Sequence, residues 1–274
     1  MYYKKTKREK VGRCNICLET KELTWDHVPP KGCSNYKRVE ISSFFEKLAG
    51  RNNNDSLLIS QNGLKYRTIC KDCNSLLGGK YDDELNKLVN TIIKYVSSNL
   101  ILPPMTKLKV IPLPIIKSVV GHILAAKKQL DEVKYDNTLR DFVLDENATI
   151  PDKVNLFYWI YPFENTIVMR DFMMPAEREG DFGNCVFFQL LKFFPIAFLI
   201  TEVDRYQDLP SLTKPFGEMD MKTEIEIPVY LNRKADRFWP EEVDDNNIVF
   251  ASKETGKSVF VETKKKPGTN QAGN

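Results

Sequence analysis

Three stretches, Cys14-Asn-Ile-Cys17, Leu23-Thr-Trp-Asp-His-Val-Pro-Pro-Lys31 and Cys70-Lys-Asp-Cys-Asn74, decide how the first third of this 274-residue chain is read. Four of the six cysteines, Cys14, Cys17, Cys70 and Cys73, form two Cys-x-x-Cys pairs, while Cys33 and Cys185 stand apart as ordinary thiols. Four thiolates saturate a tetrahedral Zn²⁺ and leave no position open for water or substrate, so the ion they imply is structural. It would pin the first knuckle to the second. The N-terminal charges have no apolar run behind them, so the expected address is the cytoplasm, where reducing conditions favour metal binding over disulfides.

Working outward, residues 1–13 are basic without apolar periodicity and read as a mobile arm that is either a solvated terminus or a phosphate-contacting segment. Leu23-Thr-Trp leads as a strand into Asp26-His27, and Pro29 and Pro30 forbid a helix after it. His27 is one of only two histidines and sits beside a carboxylate in a proline-restrained turn. The other, His122, lies in a predicted helix near Val119 and Ile123 and reads as a packed or interface histidine.

The spacing predicts a short helix over 42–48, with Ser43 and Glu46 as a capping box and Gly50 just past its end. Strands are predicted over 56–59 and 64–69, joined as a hairpin by Gln61-Asn-Gly63. From Asp82, a helix carries Leu85, Leu88, Val89, Ile92, Ile93 and Val96 on one stripe, which reads as core. Leu102-Pro-Pro-Met105 marks a boundary. A second amphipathic helix is predicted over 115–133. The remainder is rich in strands: 154–161, 166–173, 186–191, 197–203, 224–230, 248–251 and 258–262, with hairpin loops at 165–166 and 254–257. Phe187 to Ile200 reads as a central strand pair, and Tyr158, Trp159 and Tyr161 as core. The fold class expected is α+β, with residues 1–103 as one domain, 104–264 as a second built on a largely antiparallel sheet, and 265–274 as a disordered tail.

Composition agrees with a globular chain: 42% hydrophobic and 28% charged. The most apolar stretch, Cys185 to Ile200, is broken by Gln189, Lys192 and Pro195, too short for a membrane span of about 20 residues. Net charge is +3, but residues 1–100 carry 18 basic against 11 acidic side chains, or +7, and the rest 22 against 26, or −4. The basic front points to an anionic partner.

The knuckles, Asp26-His27 and Cys70-Lys-Asp-Cys-Asn74 together resemble the zinc-knuckle branch of the HNH endonucleases over roughly residues 12–80. The resemblance implies a ββα-metal fold in which His27 is the general base, Asp26 and Asn74 hold a catalytic divalent ion, and the zinc is separate. The residue types suit these roles, since an imidazole with an ordinary pKa near 6.5 can accept a proton from water. A carboxylate and an amide oxygen are hard ligands fit for Mg²⁺ or Mn²⁺. Lys31 and Arg67 are candidate phosphate contacts or solvated charges. The family's usual asparagine before the second pair is missing, and either Asn54 or Asn62 stands in for it.

The expected activity is hydrolysis of DNA phosphodiester bonds, in a setting such as restriction or phage defence. Residues 104–264 would serve recognition, regulation, dimerisation or an accessory partner. Two alternatives stand beside it: an RNA-cleaving nuclease using the same residues, and a non-catalytic zinc-stapled nucleic-acid-binding protein.

Overall fold

The structure is a computed structural model that describes residues 6–34, 37–48, 50, 58–128, 130, 134–175, 185–204, 206, 209–214, 219–232, 235–238 and 257–263. It is α+β, with antiparallel sheets throughout. Asn54, the strand expected at 248–251, residues 254–256 of the expected loop and the tail from residue 265 lie outside the described residues, while Lys257 belongs to a strand.

The front of the chain forms a three-stranded sheet of β1 (Val11–Arg13), β2 (Thr20–His27) and β5 (Lys65–Cys70), in the order β1-β2-β5. The segment before it is not a free arm from residue 6 onward. The Arg67 amide donates to the Thr6 carbonyl at 2.8 Å, and Arg8 reaches into the interior to the Lys128 carbonyl. β5 runs directly into α2 (Lys71–Leu76), which continues through a π-helical turn at Leu77–Tyr81 into α3 (Asp82–Val96). α3 buries Leu85, Leu88, Val89 and Ile92, the stripe its spacing predicts.

The second sheet has seven strands in the order β4-β3-β12-β8-β9-β10-β7. These are β3 (Val39–Ser43), β4 (Leu58–Ser60), β7 (Asn155–Ile160), β8 (Thr166–Pro175), β9 (Cys185–Phe193), β10 (Ile196–Thr201) and β12 (Lys257–Thr263). Its strands come from both sides of residue 103, and one apolar core runs from Cys14 to Val261. A third ladder pairs β6 (Met105–Val110) with β11 (Ile225–Tyr230).

Several sequence expectations need correction. The runs around Gln61-Asn-Gly63 do not pair with each other: β4 joins β3, while β5 joins β2 and so delivers Cys70 to the first knuckle. Residues 165–166 are likewise no hairpin turn, because β7 pairs with β10 rather than with β8. The helix predicted from residue 42 starts later, as α1 (Phe44–Leu48), because Ser42 and Ser43 extend β3 against β12. The helix predicted over 115–133 is α4 (Pro112–Ala125), and it is buried on all sides rather than amphipathic. Pro112 suits its first turn, where a missing N–H is no loss. An all-round apolar helix needs cover on every side, and α4 has β2, β5, α3, α5 (Lys134–Leu144) and β9 around it.

Candidate metal centre and active site

The ligand atoms of Cys14, Cys17, Cys70 and Cys73 all lie within 4.8 Å of one another, the one such group of His, Cys, Asp or Glu among the described residues. A tetrahedron with Zn–S bonds of about 2.3 Å has edges of about 3.8 Å, and the Cys17 and Cys70 sulfurs are 3.8 Å apart. The amides of Ile16 and Cys70 donate to the Cys14 sulfur at 3.4 and 3.3 Å. The Cys73 thiol and these amides hold the Cys14 thiol down at about 5, so a thiolate is already favoured there. Leu18 closes the first knuckle in the left-handed region, at φ 62°, with its amide on the Cys14 carbonyl at 3.1 Å. A non-glycine residue holds that conformation only where its surroundings dictate it. The donor set fits Zn²⁺ and leaves no open coordination position.

The knuckles fix the strands, and the strands sort the side chains. Along β2, Trp25 and His27 face outward while Asp26 faces the core. Their cross-strand partners are Arg67 for Trp25, Tyr66 for Asp26 and Lys65 for His27. His27 is half-buried, and the Asn62 carbonyl accepts a hydrogen bond from its ring. Burial, and then the Lys65 ammonium, keep the imidazole below its ordinary pKa, so it is neutral at neutral pH. Asn62, one of the two asparagines offered by the sequence, meets His27 through its backbone; the other, Asn54, lies outside the described residues.

Asn74, on α2, donates its amide N–H groups to the Thr24 hydroxyl and the Trp25 carbonyl, both at 3.0 Å. It clips α2 onto β2, and its own amide oxygen has no partner among the described residues. Lys31 is exposed in the turn after His27. Arg67 is partly committed, with Nε and Nη2 on the Arg8 carbonyl at 3.0 and 2.6 Å. Cys33 is buried with its thiol on Asn86 at 3.1 Å, and Cys185 is exposed.

What the sequence does not reveal is the partner of Asp26. Its carboxylate is 4% exposed and accepts from His122 Nδ1 at 2.9 Å, while His122 Nε2 donates to Asp82 at 2.9 Å. Ser118 donates to the same Asp82 oxygen at 2.7 Å. Burial alone would depress His122, but the two carboxylates outweigh it and push the imidazole up to about 10. Burial likewise opposes ionisation of Asp82, and His122 and Ser118 reverse it, so this carboxyl lies below its ordinary value. His122 is thus packed, as expected, but packed as a cation between two anions. The three residues come from β2, α3 and α4, and no local spacing announces them.

A second buried polar group joins the first knuckle to the large sheet. Arg140 donates to the Asn15 carbonyl at 2.8 Å, and Asn15 donates to the carbonyls of Leu124 and Lys127 at 2.9 and 2.7 Å. Thr68 donates to the Ala125 carbonyl at 2.6 Å. These bonds satisfy carbonyls that the end of α4 leaves open. Lys127 in turn lies 2.6 Å from Asp171, and Arg170 holds both Asp136 oxygens at 3.0 Å. Its one local signal is Arg170-Asp171 inside an otherwise apolar strand, where β8 is bulged and Asp171 has φ 57°.

Comparison with known proteins returns no match among family models, curated proteins or solved structures. No helix among the described residues is long and apolar enough to cross a membrane.

Proposed function

We propose that the chain is a metal-dependent endonuclease of the HNH type that hydrolyses DNA, with His27 as general base. The observation that carries the reading is the setting of His27 itself. A neutral imidazole, oriented by the Asn62 carbonyl, ends a strand whose neighbours are the fixed carboxylate of Asp26 and the helix clipped on by Asn74. The order of elements, β2 then β5 then α2, is strand, strand, helix, with cysteine knuckles at its base.

The neutral imidazole of His27 accepts a proton from the attacking water, and the Asp26 carboxylate next to it favours the imidazolium that results. His122 holds Asp26 in one orientation, and burial, then Lys65, keep His27 unprotonated until it is needed. The residues that would hold a catalytic Mg²⁺ or Mn²⁺ are Asp26 and Asn74, whose carboxylate and amide oxygens are hard donors. Such an ion would stabilise charge on the phosphate and the leaving oxygen.

One observation favours a second reading, a non-catalytic zinc-stapled nucleic-acid-binding protein: Asp26 is nearly fully buried and already engaged by His122. Supercoiled plasmid, single-stranded DNA and RNA, each with Mg²⁺ or Mn²⁺, separate the readings. The nuclease reading expects plasmid nicking that falls by about 10²–10⁴ in His27→Ala with zinc content and melting temperature unchanged. A zinc-loaded wild type that cuts none of the three substrates supports the binding protein, and cleavage confined to RNA reassigns the substrate.

A further inference from the structure

We infer that the outward face of β2 and β5 is a platform for single-stranded DNA, on which an unpaired base stacks against Trp25. The choice of DNA rests on the nuclease reading above; the platform itself rests on the composition of this face. Trp25 is 44% exposed, an unusual setting for a large ring in a sheet whose inner face is well buried. Lys65 Nζ and Arg67 Cζ lie 5.7 and 5.6 Å from its ring centroid. Both cations come from the strand opposite, as the cross-strand partners of His27 and Trp25. Arg67 is held in place by the Arg8 carbonyl, so the charge beside the ring is fixed before any ligand arrives.

Among the described residues, charge on this face is of one sign near the ring. Asp26 points to the core, and Glu22, further back along β2, is paired with Lys10 at 3.1 Å. Exposed Lys31 follows His27. Lys65 and Arg67 lie over the ring and leave the rest of it exposed, which is a pairing that suits single strands: phosphates meet the cations and a base meets the exposed part of the ring. A duplex keeps its base faces within the stack and offers the ring nothing except at an end or a flipped base. Trp25 and His27 share the face two residues apart, about 7 Å along the strand. A strand seated on Trp25 therefore runs past the candidate base.

The test is binding by the full-length, zinc-loaded protein without added Mg²⁺ or Mn²⁺, so that no cutting is needed. Polarisation of labelled oligo(dT) of about 15 nucleotides is compared with the matching duplex, oligo(rU) and heparin. Oligo(dT) is expected to bind most tightly. Trp25→Ala should weaken it by about tenfold or more while duplex binding stays unchanged, and Trp25→Phe should stay within about threefold. Lys65→Met should lower the salt dependence by about one phosphate contact. Quenching of tryptophan emission by oligo(dT), lost in Trp25→Phe, gives a second readout from a variant that keeps an aromatic ring. Duplex binding as tight as oligo(dT), or a Trp25→Ala loss equal on heparin, overturns the platform; oligo(rU) binding as tight as oligo(dT) overturns the choice of DNA. If oligo(dT) binds through Trp25 but no nucleic acid is cut with Mg²⁺, the nuclease reading fails and the platform stands. If His27→Ala abolishes cutting while Trp25→Ala binds oligo(dT) like the wild type, the platform fails alone.

Discussion

Every residue of β7 and β10 in the seven-stranded sheet is buried, whereas β2 in the three-stranded sheet buries only Leu23 and Asp26 and exposes Thr20, Glu22 and Trp25. In the large sheet one face, with Leu156, Tyr158, Leu191 and Phe198, joins the main core around α4. The other, with Phe157, Trp159, Leu190, Leu199 and Phe260, forms a second cluster with Phe44 and Tyr206. Apolar burial on two faces, at about 25 cal/mol per Å², is enough to specify such a sheet. The small sheet has one buried face and an outer surface given over to Trp25, His27, Lys65 and Arg67. The buried face joins the main core through Leu23, Tyr66 and Ile69, and the sheet adds to it four sulfurs, Asn74 and the carboxylates gripping His122. The region that carries the candidate chemistry is thus the one held by polar and metal-type contacts as well as apolar ones.

The sharpest way to break this contrast is to take away the sulfurs. Structural zinc is worth on the order of 10 kcal/mol in small zinc-binding peptides. Cys73→Ser, or stripping with a strong chelator, should therefore abolish hydrogen-exchange protection in 11–27 and 65–70 while 155–160 and 188–200 keep theirs. Equal protection in both sheets after complete removal of zinc would show that the small sheet stands without it.

Next in size is His122. Its loss leaves Asp26 and Asp82 facing an emptied, buried space, and breaking a buried charge pair typically costs about 3–5 kcal/mol. The pH dependence has a definite sign. The folded pKa, about 10, lies above the ordinary value of about 6.5, so the folded state holds the proton more tightly. The stabilisation is complete below about 6.5 and is lost as pH rises towards 10. The stability gap between wild type and His122→Gln, from urea unfolding, should accordingly narrow over that range. A gap that stays constant would mean that His122 is not a cation in the fold.

The large sheet answers to a different perturbation. Leu199 is fully buried in β10, and Leu→Ala at such a site costs about 2–5 kcal/mol through lost contacts and the cavity left behind. Leu199→Ala should lower the melting temperature yet retain one tightly bound zinc. Loss of zinc in this variant would join the two regions into a single cooperative unit.

The same contrast explains what could be read from the chain itself. The apolar runs of β7 to β10, the stripe of α3 and the two cysteine pairs are local patterns, and local patterns survive translation into structure. α5 also has its stripe, Tyr135, Leu139, Phe142 and Val143, although Asp136 and Arg140 on the same buried face disguise it. Pairing of β4 with β3, burial of α4 on all sides, and the meeting of Asp26, His122 and Asp82 depend on which elements become neighbours. An all-apolar helix cannot reveal its neighbours by periodicity, and Asp26 beside His27 in sequence gives no hint that the chain's other histidine is its actual partner.

Gly121 offers the finest test of how the small sheet's polar contacts are aligned. It sits in α4 next to His122, and a Cβ there would lie 2.3 Å from Leu77 Cδ2 on the π-helical turn. That close approach brings α4 against the turn, just before Asp82, the carboxylate that holds Nε2 of His122. Alanine gains about 1 kcal/mol of helix propensity over glycine, but forcing a methyl group into a packed contact typically costs about 1–3 kcal/mol. Leu77 is itself fully buried and has little room to retreat, so Gly121→Ala should destabilise the protein by about 1 kcal/mol and loosen the Asp82 contact. The second change, Leu77→Ala, removes the obstructing atoms. In a double-mutant cycle the pair should therefore cost less than the sum of the singles. Additive effects, or a Gly121→Ala protein more stable than wild type, would separate the close helix contact from the alignment of Asp82, His122 and Asp26.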